Sequence, residues 1–162
     1  MLKRIREPKA PSLRGRSVRV AVVASEYNRK HVEGLLQGAR LGLEKADIAV
    51  DVVRVPGAFE IPLAAELVAA EGEVAAIICL GVIIRGETAH ADLVGEAVTR
   101  ALMEIGLRHR IPVIHEVLLV GTMAQADARC LDSRHNRGLE AAGAALSMVR
   151  WMSRHKAKRV AE

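Results

Sequence analysis

The sequence predicts a layered α/β domain built on a four-stranded parallel sheet. Two observations predict it. Apolar, strand-like runs alternate along the 162 residues with segments of helical spacing. The run at residues 74–80 is also continuously apolar, as expected for a strand that is buried on both faces of a parallel sheet. A chain of this length is most simply one domain, with right-handed crossovers between its strands.

The first half of the chain contains two predicted strands and two predicted helices. Residues 1–16 are basic and contain prolines, and we expect them to form an extended arm. Residues 18–24 form the first strand, and residues 50–55 form the second. The helix between them, at about 30–46, has a core stripe: Val32, Leu35, Leu36, Ala39 and Leu43. The next helix begins at residue 59 or 60, ends before Gly72, and has this expected inner face: Leu63, Ala64, Leu67 and Val68.

The second half repeats the alternation. After the third strand, Thr88 is expected to cap a helix that continues to about residue 108. Its expected core stripe is Leu93, Ala97, Ala101, Leu102 and Ile105. Residues 112–120 form the fourth strand, and residues 123–130 form a short helix. A last helix at about 136–152 packs through Ala142, Ala145, Leu146 and Val149. The domain then covers residues 17–152, and residues 153–162 form a basic tail.

Composition excludes several classes of protein. Much of the net charge of +5 lies at the two ends of the chain, where basic clusters are commonly solvated. No zinc-finger spacing or aromatic RNA-binding motif is present, so nucleic acid is not favoured as a partner. No segment reads as a membrane span or a signal peptide, so no membrane partner is expected. Cys79 and Cys130 suit a reducing compartment better than a disulfide framework, which favours the cytoplasm.

Residues 81–96, with the sequence GVIIRGETAHADLVGE, carry the strongest functional signal. A buried strand ends here, a turn with Gly86 follows, and a helix begins. Free backbone N–H groups at a helix start can hold an anion, and His90 lies close enough to exchange protons with it. The alternative is that His90 is a solvated surface residue. Asp92 either orients His90 or serves only as an acid in the first helical turn.

Three other loops should lie beside this turn, because ligands of open parallel sheets bind beyond the carboxyl ends of the strands. The loop after the first strand carries Tyr27, and the loop after the second strand carries Phe59 and Glu60. The third loop follows His115 on the fourth strand. The chain has one Tyr, one Phe and one Trp, so an aromatic residue in a turn is a candidate for stacking on a planar ligand.

Three motifs give the chain a specific resemblance. They are VPGAFEIP at residues 55–62, GVIIRGETAHADLV at 81–94, and QADAR with NRGLEAA between residues 125 and 142. Over about residues 18–151 the chain resembles the 6,7-dimethyl-8-ribityllumazine synthase family of riboflavin biosynthesis. The resemblance implies a flavodoxin-like three-layer sandwich. It also implies homo-oligomers of at least pentamers, with active sites between subunits, and riboflavin synthase as a candidate partner.

The resemblance further implies a condensation of 5-amino-6-(D-ribitylamino)uracil with 3,4-dihydroxy-2-butanone 4-phosphate. No redox step occurs, so no nicotinamide or flavin cofactor is implied, and no metal site is expected. His90 matches the proton-transfer histidine. Residues matching the butanone phosphate site are Glu87, Thr88 and Arg129. Residues matching the pyrimidine and ribityl sites are Tyr27, Ala58, Phe59, Glu60, Val82, Ile83, Ile84 and His115.

The chain departs from the family pattern at two places. His115 stands where the family usually has an aromatic residue lining the pyrimidine site, and the following Glu116 could form an ion pair with it. The segment CLDSRH at residues 130–135 replaces a glycine-rich loop. The alternative function is therefore a non-catalytic paralogue that binds or stores lumazine or flavin. Retention of His90 and Arg129 favours catalysis, and the absence of a flavin-phosphate loop weakens a signalling or electron-transfer role.

Overall fold

The structure is a computed structural model that describes residues 18–160, so the predicted arm at residues 1–16 lies outside the described part. Its centre is a parallel sheet with the strand order β2-β1-β3-β4. The strands are β1 (Arg19–Ser25), β2 (Ala49–Val55), β3 (Ala76–Ile84) and β4 (Val113–Val120). The predicted α/β class and the parallel sheet are confirmed.

Five α-helices connect and follow the strands. They are α1 (Arg29–Glu44), α2 (Ile61–Glu71), α3 (His90–His109), α4 (Met123–Cys130) and α5 (Arg137–Val160), with a 3₁₀ turn at Ala58–Glu60 before α2. Helix α5 continues past the predicted end near residue 152, because no glycine or proline interrupts the chain there. None of the described helices is both long and apolar enough to cross a membrane.

The sheet separates two hydrophobic cores. One lies between the sheet and helices α1 and α5, and the other lies between the sheet and helices α2 and α3. The first seven residues of β3 are buried, as the continuous apolar run predicted. The predicted core stripes of α1 and α5 are confirmed, since every residue in them is buried.

The predicted inner faces of α2 and α3 are wrong in part. Leu63, Leu67 and Leu93 are 67%, 58% and 66% exposed, and Ala97 is exposed as well. The residues that face the core are instead Ile61, Ala65 and Ala69 of α2, and Ala91, Val98, Leu102 and Ile105 of α3. Both helices carry apolar residues on two sides, so helical spacing alone could not identify the side that meets the sheet.

Helices α1 and α5 pack closely because glycines face the contact. A Cβ atom on Gly138 would lie 1.8 Å from the carbonyl oxygen of Leu35. Asn136 supports the same junction. Its side-chain amide donates to the carbonyls of Gly34 (3.0 Å) and Cys130 (2.7 Å), and its oxygen accepts from the Gly138 N–H at 2.8 Å. The junction fixes where α4 ends and α5 begins.

Candidate active site

A cavity of about 610 Å³ opens at the carboxyl ends of β1, β2 and β3. Its volume is in the range typical of small-molecule sites. Its lining comes from the loops after these three strands, from β3 itself and from the first residues of α3 and α4. The lining residues are Tyr27, Asn28, Gly57, Ala58, Phe59, Glu60, Val82, Ile83, Ile84, Gly86, Thr88, His90, Ala91, Val94 and Met123. This edge of the sheet is the one where the sequence predicts a ligand site.

The loop after β1 is tied to both neighbouring strands. The Tyr27 N–H donates to the carbonyl of Pro56 at 3.0 Å. Asn28 adopts a left-handed backbone, with φ 55°, and its side-chain amide donates to the Val82 carbonyl at 2.6 Å. Asparagine tolerates this backbone better than most residues. The loop that carries Tyr27 is therefore held beside the end of β3.

Two of the three aromatic residues of the chain stand at the rim of the cavity. Tyr27 is 74% exposed and Phe59 is 62% exposed. Large rings left in water at the mouth of a cavity mark a surface that binds a ligand or a protein. Their π-faces suit a planar heterocycle.

The 3₁₀ turn after β2 presents a carboxylate to the same cavity. Gly57 has an extended backbone, and a Cβ atom there would lie 2.9 Å from Oε2 of Glu60. Glycine at position 57 therefore leaves room for the Glu60 side chain over the backbone. A carboxylate in this position can accept hydrogen bonds from the hydroxyl groups of a ligand.

His90 is the first residue of α3 and lies exposed on the cavity. The predicted cap by Thr88 is wrong: the capping position is Ala89, and no side chain caps the helix. The Thr88 hydroxyl accepts only a long bond, 3.4 Å, from the His90 N–H. Backbone N–H groups at an uncapped helix start can bind an anion.

Asp92 is paired with Arg85. The Arg85 Nη2 lies 2.5 Å from Asp92 Oδ1, and the pairing raises the pKa of Arg85. Of the two roles expected for Asp92, the acid in the first turn of α3 is the one that the structure supports, with its charge balanced by an arginine rather than directed at His90.

Three predicted site residues do not line this cavity. Glu87 is exposed on the loop between Gly86 and Thr88. His115 lies on β4, where its Nε2 is 2.8 Å from Oγ1 of Thr99, and burial lowers its pKa. Arg129 lies on α4 and donates from Nη1 to the Gln125 carbonyl at 3.1 Å. Neither His115 nor Arg129 therefore lines the cavity of this chain.

Glu116 does not pair with His115. It is 6% exposed and accepts from the Nη2 and Nε atoms of Arg137 at 2.9 and 3.2 Å, and Arg137 also bonds Glu140 at 2.6 Å. Burial raises the pKa of Glu116, and the positive charge of Arg137 opposes that shift. His115 and Glu116 point to opposite faces of β4, as successive strand residues do, which is why they cannot pair.

Some lining residues were not among the predicted site residues. Val94 could have been found from sequence, because it lies one helical turn after His90. Gly57 and Gly86 lie inside the motifs that the sequence analysis identifies. Nothing in the sequence marks Met123 as a site residue except its position after β4. Among residues 18–160, no group of three or more His, Cys, Asp or Glu side chains could hold a metal ion.

Comparison with known proteins gives one consistent result. The family model described as 6,7-dimethyl-8-ribityllumazine synthase matches residues 17–153. The 6,7-dimethyl-8-ribityllumazine synthase of Xanthomonas campestris pv. campestris (strain B100) is 43% identical over 143 residues, covering 86% of this chain and 93% of its own length. The 6,7-dimethyl-8-ribityllumazine synthase 1 of Caulobacter vibrioides is 41% identical over 139 residues, covering 84% and 91%. The synthase of Xanthobacter autotrophicus is 42% identical over 144 residues, covering 86% and 87%.

Proposed function

The chain belongs to the 6,7-dimethyl-8-ribityllumazine synthase family, and on that premise we propose how it works as a transferase. It condenses 5-amino-6-(D-ribitylamino)uracil with 3,4-dihydroxy-2-butanone 4-phosphate and releases 6,7-dimethyl-8-ribityllumazine and phosphate. The observation that carries the proposal is the cavity at the strand ends, which brings an aromatic ring, a carboxylate and an imidazole together.

The pyrimidine occupies the part of the cavity between Tyr27 and β3. Tyr27 stacks on the heterocycle, and the backbone of Val82, Ile83 and Ile84 bonds its edges. The ribityl chain follows the 3₁₀ turn, past Ala58 and Phe59, where Glu60 accepts from its hydroxyls. Both rim aromatics are exposed in the isolated chain, which supports a role in covering a ligand.

The phosphorylated ketone occupies the loop at the start of α3. The backbone of Glu87 and Thr88 and the free N–H groups of the helix start hold its phosphate. Arg129 completes the phosphate site from a neighbouring subunit, and His115 of that subunit covers the pyrimidine, since neither residue lines the cavity of its own chain. A guanidinium can make two charge-assisted bonds to a phosphate group.

The chemistry then needs little more than orientation and proton transfer. The pyrimidine amine attacks the ketone and water leaves to give an imine, after which phosphate is eliminated and the ring closes with loss of a second water. Holding the two substrates together can lower the barrier by up to about 7–11 kcal/mol. His90 moves protons in these steps, which typically adds about 10²–10⁴-fold.

The same site supports a homo-oligomer. Leu63, Leu67 and Leu93 are exposed on α2 and α3, and exposed apolar surface of this kind marks an interface between proteins. We place the site between subunits of a ring, at least a pentamer, whose mass would be five times the 17.5 kDa of one chain. The buried free thiols of Cys79 and Cys130 support the cytoplasm as its location. Riboflavin synthase, whose substrate is the lumazine, stays a candidate partner.

The non-catalytic storage function is not favoured. The relatives named above are named as the synthase. His90 also lines the cavity, and a protein that only stores its ligand does not need a group that transfers protons there.

The test is to mix the purified protein with both substrates and to follow lumazine fluorescence and free phosphate together. We expect both products to form in equal amounts and well above the spontaneous reaction. A rate equal to that of the mixture without protein would refute the enzyme assignment. If the protein then still bound lumazine or riboflavin tightly, the storage function would replace it.

A further inference from the structure

An ion pair spans the loop that lies between β3 and α3. Arg85 is the first residue after β3, Asp92 is in the first turn of α3, and their side chains meet at 2.5 Å. Gly86, Thr88, His90 and Ala91, which lie between them, line the cavity. Neither Arg85 nor Asp92 does. The pair therefore ties the two ends of the loop together without itself lining the cavity.

Little else among the described residues holds this loop. The Arg85 N–H bonds the carbonyl of Val120 at 2.8 Å, and the α-helical bonds begin with the Leu93 N–H to the Ala89 carbonyl at 3.1 Å. Between these points, the one internal bond is the 3.4 Å contact of His90 with Thr88. A Cβ atom on Gly86 would have no neighbour within 4 Å. The loop has few contacts that would keep it in a single conformation.

The pair also affects the charge at the site. Asp92 places a negative charge in the first turn of the helix whose start would bind the phosphate. Arg85 neutralises that charge at a distance of 2.5 Å. Removing Asp92 would leave an unpaired arginine near the phosphate, whereas removing Arg85 would leave an unpaired carboxylate.

We propose that Arg85 and Asp92 are positioning residues, which hold the loop at residues 86–91 in the conformation that binds the phosphate of the ketone. This inference rests on the proposed function, since it assigns a task to the loop in that reaction. Neither residue touches a substrate. Their contribution is to fix the directions of the backbone N–H groups before the phosphate arrives.

Asp92→Asn is the decisive variant, because charge and positioning predict opposite results. If the pair acted through charge alone, the freed Arg85 would attract the phosphate and lower the KM for the ketone. If the pair holds the loop, the KM for the ketone rises, by about 2–5-fold for an exposed ion pair. We expect this rise, with the KM for the pyrimidine and kcat little changed.

Arg85→Gln should raise the KM for the ketone further, since it both frees the loop and leaves Asp92 unpaired. Arg85→Lys keeps the charge and should restore part of the loss. Arg100→Gln is the matched control: it removes the arginine of an exposed pair with Glu96, also on α3, at 2.6 Å. It should leave both KM values as in the wild type. An unchanged or lowered KM for the ketone in Asp92→Asn would overturn the proposal.

Hydrogen exchange separates this inference from the proposed function. In the wild type, inorganic phosphate should slow the exchange of the backbone amides at residues 86–91, and in Asp92→Asn this protection should be smaller. The measurement does not need turnover. If the protein made no lumazine but the difference in protection appeared, the proposed reaction would fail and the loop assignment would stand. Equal protection in both proteins would overturn the assignment.

Discussion

His115 stands on β4, and its surroundings show how the histidine is accommodated there. Its Nε2 contacts the Thr99 hydroxyl, and its Nδ1 accepts from the Val117 N–H at 3.3 Å. Burial lowers its pKa because the charged form loses water. The imidazole is therefore held neutral over a wider range of pH, and a neutral ring can still cover a pyrimidine.

Replacing His115 with Gln should change the pH dependence of stability. The unfolded histidine binds a proton below its ordinary pKa of about 6.5, whereas the folded one does so only at lower pH. The contribution of neutral His115 to the free energy of unfolding is thus fully present above about pH 6.5. It is lost as the pH falls toward the lowered pKa of the folded state. Melting curves between about pH 5 and 7.5 should show a smaller fall in Tm for the variant than for the wild type. Equal slopes would show that His115 does not titrate differently in the folded protein.

The guanidinium of Arg129 is predicted to bind the phosphate of the ketone, so its removal should weaken the binding of that substrate alone. Arg129→Ala should raise the KM for the phosphorylated ketone by about 10–100-fold, since a charge-assisted bond contributes roughly 1.5–3 kcal/mol. The KM for the pyrimidine should change little. Arg134→Ala is the control, because it removes the same charge from an exposed position on the next loop. Equal effects on both substrates would remove the proposed role of Arg129.

At the scale of helices and strands, the sequence predicts best where an element has a single apolar side. The stripe of α1 is predicted correctly because its other positions are largely polar, whereas α5 exposes Met148 and Trp151 and its stripe is less sharply marked. Leu63 and Leu93 were assigned to the core because α2 and α3 are apolar on two sides, and only the sheet decides which side is buried. The cavity lies at the strand ends, where the sequence predicts a ligand site, whereas Arg129 on α4 does not line it.

The contact between α1 and α5 yields a matched pair of glycine substitutions. Gly138→Ala should lower the free energy of unfolding by about 1–3 kcal/mol or more, because the new methyl group would meet the backbone of Leu35. Gly143→Ala lies on the same helix, where a Cβ atom has no neighbour within 4 Å. It should be neutral or raise stability by up to about 1 kcal/mol. Urea unfolding of both variants tests the contact, and similar losses would show that the close packing is not the cause.

For the whole molecule, the separation of Arg129 from the cavity predicts complementation between subunits. His90→Ala and Arg129→Ala should each be impaired alone. After the two variants are unfolded and reassembled together, sites that take His90 from one subunit and Arg129 from its neighbour would be intact, about one in four in a random ring. Activity above the mean of the two separate variants would support shared sites. Activity equal to that mean would place both residues in one subunit's site.

The leucines that α2 and α3 leave in water have a thermodynamic consequence. If neighbouring copies cover them, folding and association form a single equilibrium. Mass action then makes the melting temperature depend on the protein concentration. Thermal stability would then be defined only at a stated concentration of the chain, and dilution alone would lower the melting temperature.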